Sequence, residues 1–351
     1  MRKRYRNLLL VVLMAAAAWG LSAFAMYNIA NLPLFTGSAA ADWEMSDLYG
    51  AVGKRRDVLQ KSGDITLVAL DGCDRAGMAD ALELLAYMEP RALGLDVFFL
   101  QEDADGRRIE AALCDFPRLV LPFDLHHPES VSFFQQRIPG AQEGFVNLLS
   151  SHATGTVRDF VCLKDGRASF PYALAGAPEG WGEAPVRLKL DGIDFPVIPA
   201  AELSLSDEAD IRDRIVIAGM MEDPSDTHRS AVGEKSSGML LHACAAEMLL
   251  SRTRMRELPG WVSTLTALLL SLLFLWVSLL AKRKWDDAGT LLMRCLQLLA
   301  IFGLFLLGCR LYLEQNIYLD FSLTITMLAL DALVFDIVAG AYALFAKNRT
   351  L

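Results

Sequence analysis

Four long apolar runs bracket this chain, one near its start and three near its end, at residues 8–26, 261–281, 291–313 and 317–346. An α-helix rises about 1.5 Å per residue, so roughly 20 apolar residues cross a hydrocarbon core about 30 Å thick. Each run is close to that length or longer. In hydrocarbon, backbone polar groups must pair within the protein, so an isolated apolar run of this kind is helical. The runs therefore predict four transmembrane α-helices, one N-terminal and three C-terminal. Residues 27–259 are left to fold as a separate domain in water. The 54% hydrophobic content exceeds the globular norm of about 45–50%, and the excess sits at the two ends.

Flanking charge orients the runs. Arg2, Lys3, Arg4 and Arg6 precede the first, Lys282, Arg283 and Lys284 follow the second, and Lys347 and Arg349 follow the last. The connector at residues 314–320 carries only acids. Cationic flanks stay cytoplasmic, so the N-terminus, the Lys282 loop and the C-terminal tail (347–351) are expected inside. The large segment is then outside, in the periplasm of a bacterium, and the protein is a multi-pass protein of its inner membrane. Charge divides the same way: residues 27–259 sum to −14 and the remainder to +5, giving the overall −9. An acidic outer domain argues against nucleic acid as a partner.

Ser22-Ala23-Phe24-Ala25 also fits a small-residue cleavage site. The apolar stretch is longer than the usual signal core, which favours an uncleaved anchor over residues 1–26. Of six cysteines, Cys295 and Cys309 fall in the third run; Cys73, Cys114, Cys162 and Cys244 lie in the outer segment. In an oxidising compartment these four allow three pairings, and spacing does not choose among them. With no CxxC and no His/Cys cluster at zinc spacing, no metal is expected. Neither a GxSxG elbow nor a GxxxxGK[ST] loop occurs, so no enzyme and no cofactor is expected.

Within the outer segment, strands and helices alternate. Residues 65–70, 92–100, 118–123 and 214–219 read as strands; 78–88 and 107–114 read as helices, with Met78, Leu82 and Leu85 at i, i+4, i+7. Alternation of this kind predicts an α/β fold, a mostly parallel sheet with flanking helices. Between residues 126 and 206 the pattern loosens into short strands at 144–148, 157–163 and 186–190, read as an insertion or antiparallel extension. Asp191-Gly192 reads as a hairpin turn.

Several segments together resemble the CHASE type 2 domain, a bacterial extracytoplasmic sensory module. They are Val68-Ala69-Leu70-Asp71, Gly94-Leu95-Asp96-Val97-Phe98-Phe99, Gly144-Phe145-Val146-Asn147, Gly155-Thr156-Val157-Arg158, Ile215–Gly219, Asp226 and Leu241-His242-Ala243. One leading and three trailing spans also fit. Departures are the lack of Trp and Pro over residues 73–78, Thr227-His228 where the family has Thr-Pro, and the absence of a kinase or cyclase segment before Leu351. The resemblance implies a sensor with an unknown periplasmic ligand, acting as a homodimer, whose output is on a separately encoded signalling or envelope protein.

Asp71, Asp96 and the loop from Gly219 to Asp226 fall at carboxyl ends of predicted parallel strands, where open α/β sheets place clefts. Arg158 and His242 join them if the family's packing holds. Such a set suits a small polar or cationic ligand; its bland reading is capping and loop pinning, with His242 paired to Asp226. Asp331 and Asp336 lie inside the last run, where an aspartate costs about 2.5–3.5 kcal/mol near mid-bilayer. They are about 140° apart on a helix. Arg294 is placed to reach Asp336, which leaves two readings: a packing pair, or contact with a partner's helix or a proton. A non-sensing structural or accessory subunit of a cell-envelope complex is the competing expectation for the whole chain.

Overall fold

A computed structural model describes residues 2–31, 44–54, 60–148, 155–190, 193–230 and 235–347. Two compact units emerge: Gly50–Met255, and Met1–Tyr49 together with Arg256–Leu351.

The first unit is built on six parallel strands: β1 (Ile65–Ala69), β2 (Ala92–Asp96), β3 (Leu119–Phe123), β4 (Gln142–Phe145), β5 (Val197–Pro199) and β6 (Ile215–Gly219). Their order is β5-β1-β6-β2-β3-β4, so the last strand enters between the first two. The central strands are apolar on both sides because both faces are covered. Ile65, Leu67, Ala92, Val120, Ile215 and Ile217 meet the closing helix Gly238–Leu250 on one face. Val68, Leu93, Leu121, Val216 and Ala218 meet helices Arg75–Tyr87 and Ala104–Leu113 on the other. Those two helices start where Asp74 and Asp103 accept hydrogen bonds from the amides of Gly77 (2.8 Å) and Gly106 (2.6 Å), caps worth about 1 kcal/mol each. Met78, Leu82 and Leu85 are buried, as their spacing predicts.

The loose region departs from expectation. Instead of an antiparallel extension, it supplies β4 and β5, parallel strands at opposite edges of the sheet. The run at 157–163 breaks into short pieces, with Asp159–Phe160 pairing antiparallel to Val186–Arg187. Ile193–Asp194 pairs instead with Gln60–Lys61. The strands flanking Asp191-Gly192 are therefore not hairpin partners; those two residues lie outside the described set. The strand predicted over 92–100 ends at Asp96, because its neighbour β6 ends opposite it at Gly219. Beyond that point the Phe99 amide donates to Ser132 Oγ (3.0 Å). Among the described residues no disulfide is present, so none of the three outer pairings forms.

In the second unit, among the described residues, three helices, not the expected four, are long and apolar enough to cross a membrane: residues 5–25, Gly260–Gln315 and residues 322–341. The middle one has 56 residues, about 84 Å if straight. Yet its two ends touch, since Arg256–Glu257 before it pairs with Ile317–Tyr318 after it. Reversal occurs at Asp286, the one non-helical residue inside it (φ 51°, ψ −121°). Just beyond, Gly289 lies against the Ala281 carbonyl, where any Cβ would overlap. The expected loop at 282–284 is thus helical, and the two runs form two helical arms that meet at Asp286. Val11, Met14, Ala15 and Ala18, one stripe of the N-terminal helix, pack against Leu275, Val334 and Phe335.

Candidate functional site

The carboxyl ends of β1, β6 and β2 lie side by side, and the acids predicted there have different fates. Asp71 follows β1 and accepts two backbone amides from the chain leaving β6, Met221 to Oδ2 and Glu222 to Oδ1, both at 2.8 Å. It clamps that loop with one amide on each carboxylate oxygen.

Asp96 ends β2 on the face of the closing helix, by the alternation Ala92, Gly94, Asp96. No described residue donates a hydrogen bond to it. Loss of water pushes its carboxyl up to about 7, the negative charge of Asp226 adds to this, and His228 opposes it. Arg158 is not among the charges acting on it. That arginine is fully buried (2% exposed) just after Thr156–Val157, a short strand alongside Arg229–Ser230.

Asp226 ends the turn Pro224–Asp226, started by Asp223 capping the Ser225 amide. Its Oδ1 lies 3.0 Å from His228 Nε2. Its carboxylate rests on the bare Cα of Gly238, the first residue of the closing helix, and a Cβ there would collide with it. The expected Asp226–His242 pairing is not what forms; His228, two residues on, takes that place. His228 is the site residue the sequence reading passed over, although an acid and a histidine two apart at a turn exit were a usable signal.

His242 is 3% exposed and stacks near Phe170, centroids 5.5 Å apart. Burial lowers its pKa to about 4, helped by His228 and opposed by Asp226 and a hydrogen bond to the Val146 backbone. It is neutral at physiological pH, and its Nδ1 has no partner. Ser169 Oγ is likewise unpartnered, and both side chains line a cavity of about 10 Å³, room for about one water. Two carboxylates with one neutral histidine form a net acidic edge, suited to a cation or a donor-rich ligand. Among the described residues no group of three or more His, Cys, Asp or Glu is placed to hold a metal ion.

In the second unit Asp331 is fully buried, its Oδ1 accepting from Ser271 Oγ at 2.8 Å. Arg294 pairs with Asp336 at 2.6 Å and also donates to the Ala332 carbonyl (2.8 Å). The two acids face different surroundings, and Asp336 remains more than half exposed (56%).

Comparison with known proteins places this geometry in a family. The CHASE2 domain model matches residues 39–280. No curated protein and no solved structure matches the chain. CHASE2 domains are extracellular and sensory rather than catalytic. With well over half of its length matched, this chain belongs to the CHASE2 domain family.

Proposed function

We propose that this protein is a membrane-bound extracytoplasmic sensor whose input is read at the carboxyl edge of its parallel sheet. The observation that carries this reading is Asp96, a half-buried acid with no hydrogen-bond donor among the described residues, which feels the charge of Asp226, whose carboxylate rests against the first residue of the closing helix. A cationic ligand settling there would compensate Asp96 and change how Asp226 bears on Gly238. The closing helix continues in sequence through residues 251–259 into the long helix Gly260–Gln315, a covalent route from site to bundle. A ligand shifts such an equilibrium only by binding its two states unequally.

In this reading residues 1–26 anchor the chain in the inner membrane, 27–259 lie in the periplasm and 260–346 return to the membrane. The adjacent ends of the long helix support two crossings by its arms, which makes four in total. The Arg294–Asp336 pair offers a separately encoded partner helix a polar contact on the bundle; a homodimer would double it. The test is a thermal-shift screen of the full-length chain in lipid nanodiscs against organic cations, polyamines and cationic peptides. At least one class should raise the melting temperature of the wild type and not of Asp96→Asn. A flat response across all three classes would contradict the proposal.

A further inference from the structure

At the end of the bundle where the N-terminal helix begins and the long helix reverses, a groove of about 570 Å³ opens between the N-terminal, long and last helices. Small-molecule sites typically have volumes of about 300–1,000 Å³. Leu10, Leu13, Met14, Leu279, Phe335 and Val338 wall it, and Arg6, Lys282 and Arg283 stand at its rim. The three cations are not equivalent. Lys282 is neutralised by Asp286 (3.0 Å) and Asp287 (2.7 Å). Among the described residues Arg283 donates only to a neutral partner, Asn7 Oδ1 at 2.7 Å. Arg6 is exposed and has no ion pair among the described residues.

An apolar slot ending in two uncompensated guanidiniums matches one chemistry. A soluble anion would leave the slot unfilled, and a bare hydrocarbon would leave the guanidiniums unpaired. We infer that the groove binds an anionic phospholipid, one acyl chain lying along Leu13 and Phe335 and the phosphate held by Arg6 and Arg283. Guanidinium groups recognise phosphate through paired N–H donors, and basic pockets between membrane helices hold such headgroups. A zwitterionic headgroup would bring its own ammonium beside the arginines. The lipid would tie the first helix to the last. This inference rests on the bundle being embedded in a bilayer.

The experiment uses the full-length chain extracted in mild detergent. Native mass spectrometry measures retained lipid after incubation with equimolar phosphatidylglycerol and phosphatidylcholine. Wild type should retain phosphatidylglycerol with about a thirtyfold preference, the two cations contributing roughly 1 kcal/mol each. Arg6→Gln/Arg283→Gln should bring the two lipids near parity. Lys284→Gln, whose ammonium lies over the Trp285 ring outside the groove, should keep the preference. Leu13→Trp, which fills the slot, should lower retention of both lipids. Equal retention by the wild type, or an undiminished preference in the double variant, overturns the inference. Should the double variant lose its cooperative melt, the single Arg6→Gln change decides, since it removes only an exposed unpaired cation. Release of the chain by alkaline carbonate would sink the membrane reading itself; firm retention without headgroup preference sinks only the lipid site.

Discussion

Asp71 and Asp96 end the two strands that flank β6, and the surrounding chain treats them in opposite ways. Asp71 accepts two amides from across the sheet, whereas Asp96 has no donor among the described residues and feels the charge of a second acid, Asp226. One carboxylate holds the fold together and the other is held in tension by it. An acid at the end of a parallel strand is therefore not one signal but two. What separates them is whether the neighbouring loop turns its amides inward.

The largest effect should come from breaking the amide-bound member. Asp71→Ala removes a charged acceptor shared by two amides, a loss of about 2–4 kcal/mol, and chemical denaturation should show it. A loss below about 0.5 kcal/mol would mean that the clamp is dispensable.

Next comes Asp96, where the effect is on the sign of a slope. Its folded pKa, about 7, lies above the ordinary 3.8, so the folded state holds the extra proton between those values. Its contribution to stability falls as pH rises from about 4 to 7. His242 works the other way. Its folded pKa, about 4, lies below the ordinary 6.5, so its contribution rises over pH 4 to 6.5 and is lost on acidification. The wild type should be nearly flat over that window. Asp96→Asn should leave stability rising with pH, and His242→Gln should leave it falling. Parallel curves for all three proteins would refute the assignment of these charges.

The smallest effect belongs to the Asp226–His228 pair, whose side chains are partly exposed. Pairs of that kind contribute about 0–1 kcal/mol. His228→Ala should change stability within that range and yet shift the Asp96 titration upward by removing an opposing charge. A shift downward would show that His228 acts on Asp96 in another way.

The sheet was legible because its central strands carry unbroken apolar runs and its helices a clean 3.6 period. Met78, Leu82 and Leu85 were placed by spacing alone. The edge strands were not legible. β5 has only three residues, Val197–Pro199, and is set by pairing with β1 across more than a hundred residues of chain. In the bundle, the charged stretch at 282–284 reads as a loop by polarity, but only Asp286 leaves helical geometry. At the site, residue types were visible and their partners were not. Whether Asp226 meets His228 or His242 depends on how the strand Thr227–Ser230 is held, and that strand pairs with Thr156–Val157, more than seventy residues earlier in the chain.

The role of Asp96 is open to direct titration, using aspartate labelled with 13C at the side-chain carboxyl in the full-length chain and Asp96→Asn for assignment. The account requires a midpoint near about 7. A midpoint near the usual carboxylate value of about 4 would mean that water already compensates this charge, and the carboxyl edge would lose its claim to be where the signal enters.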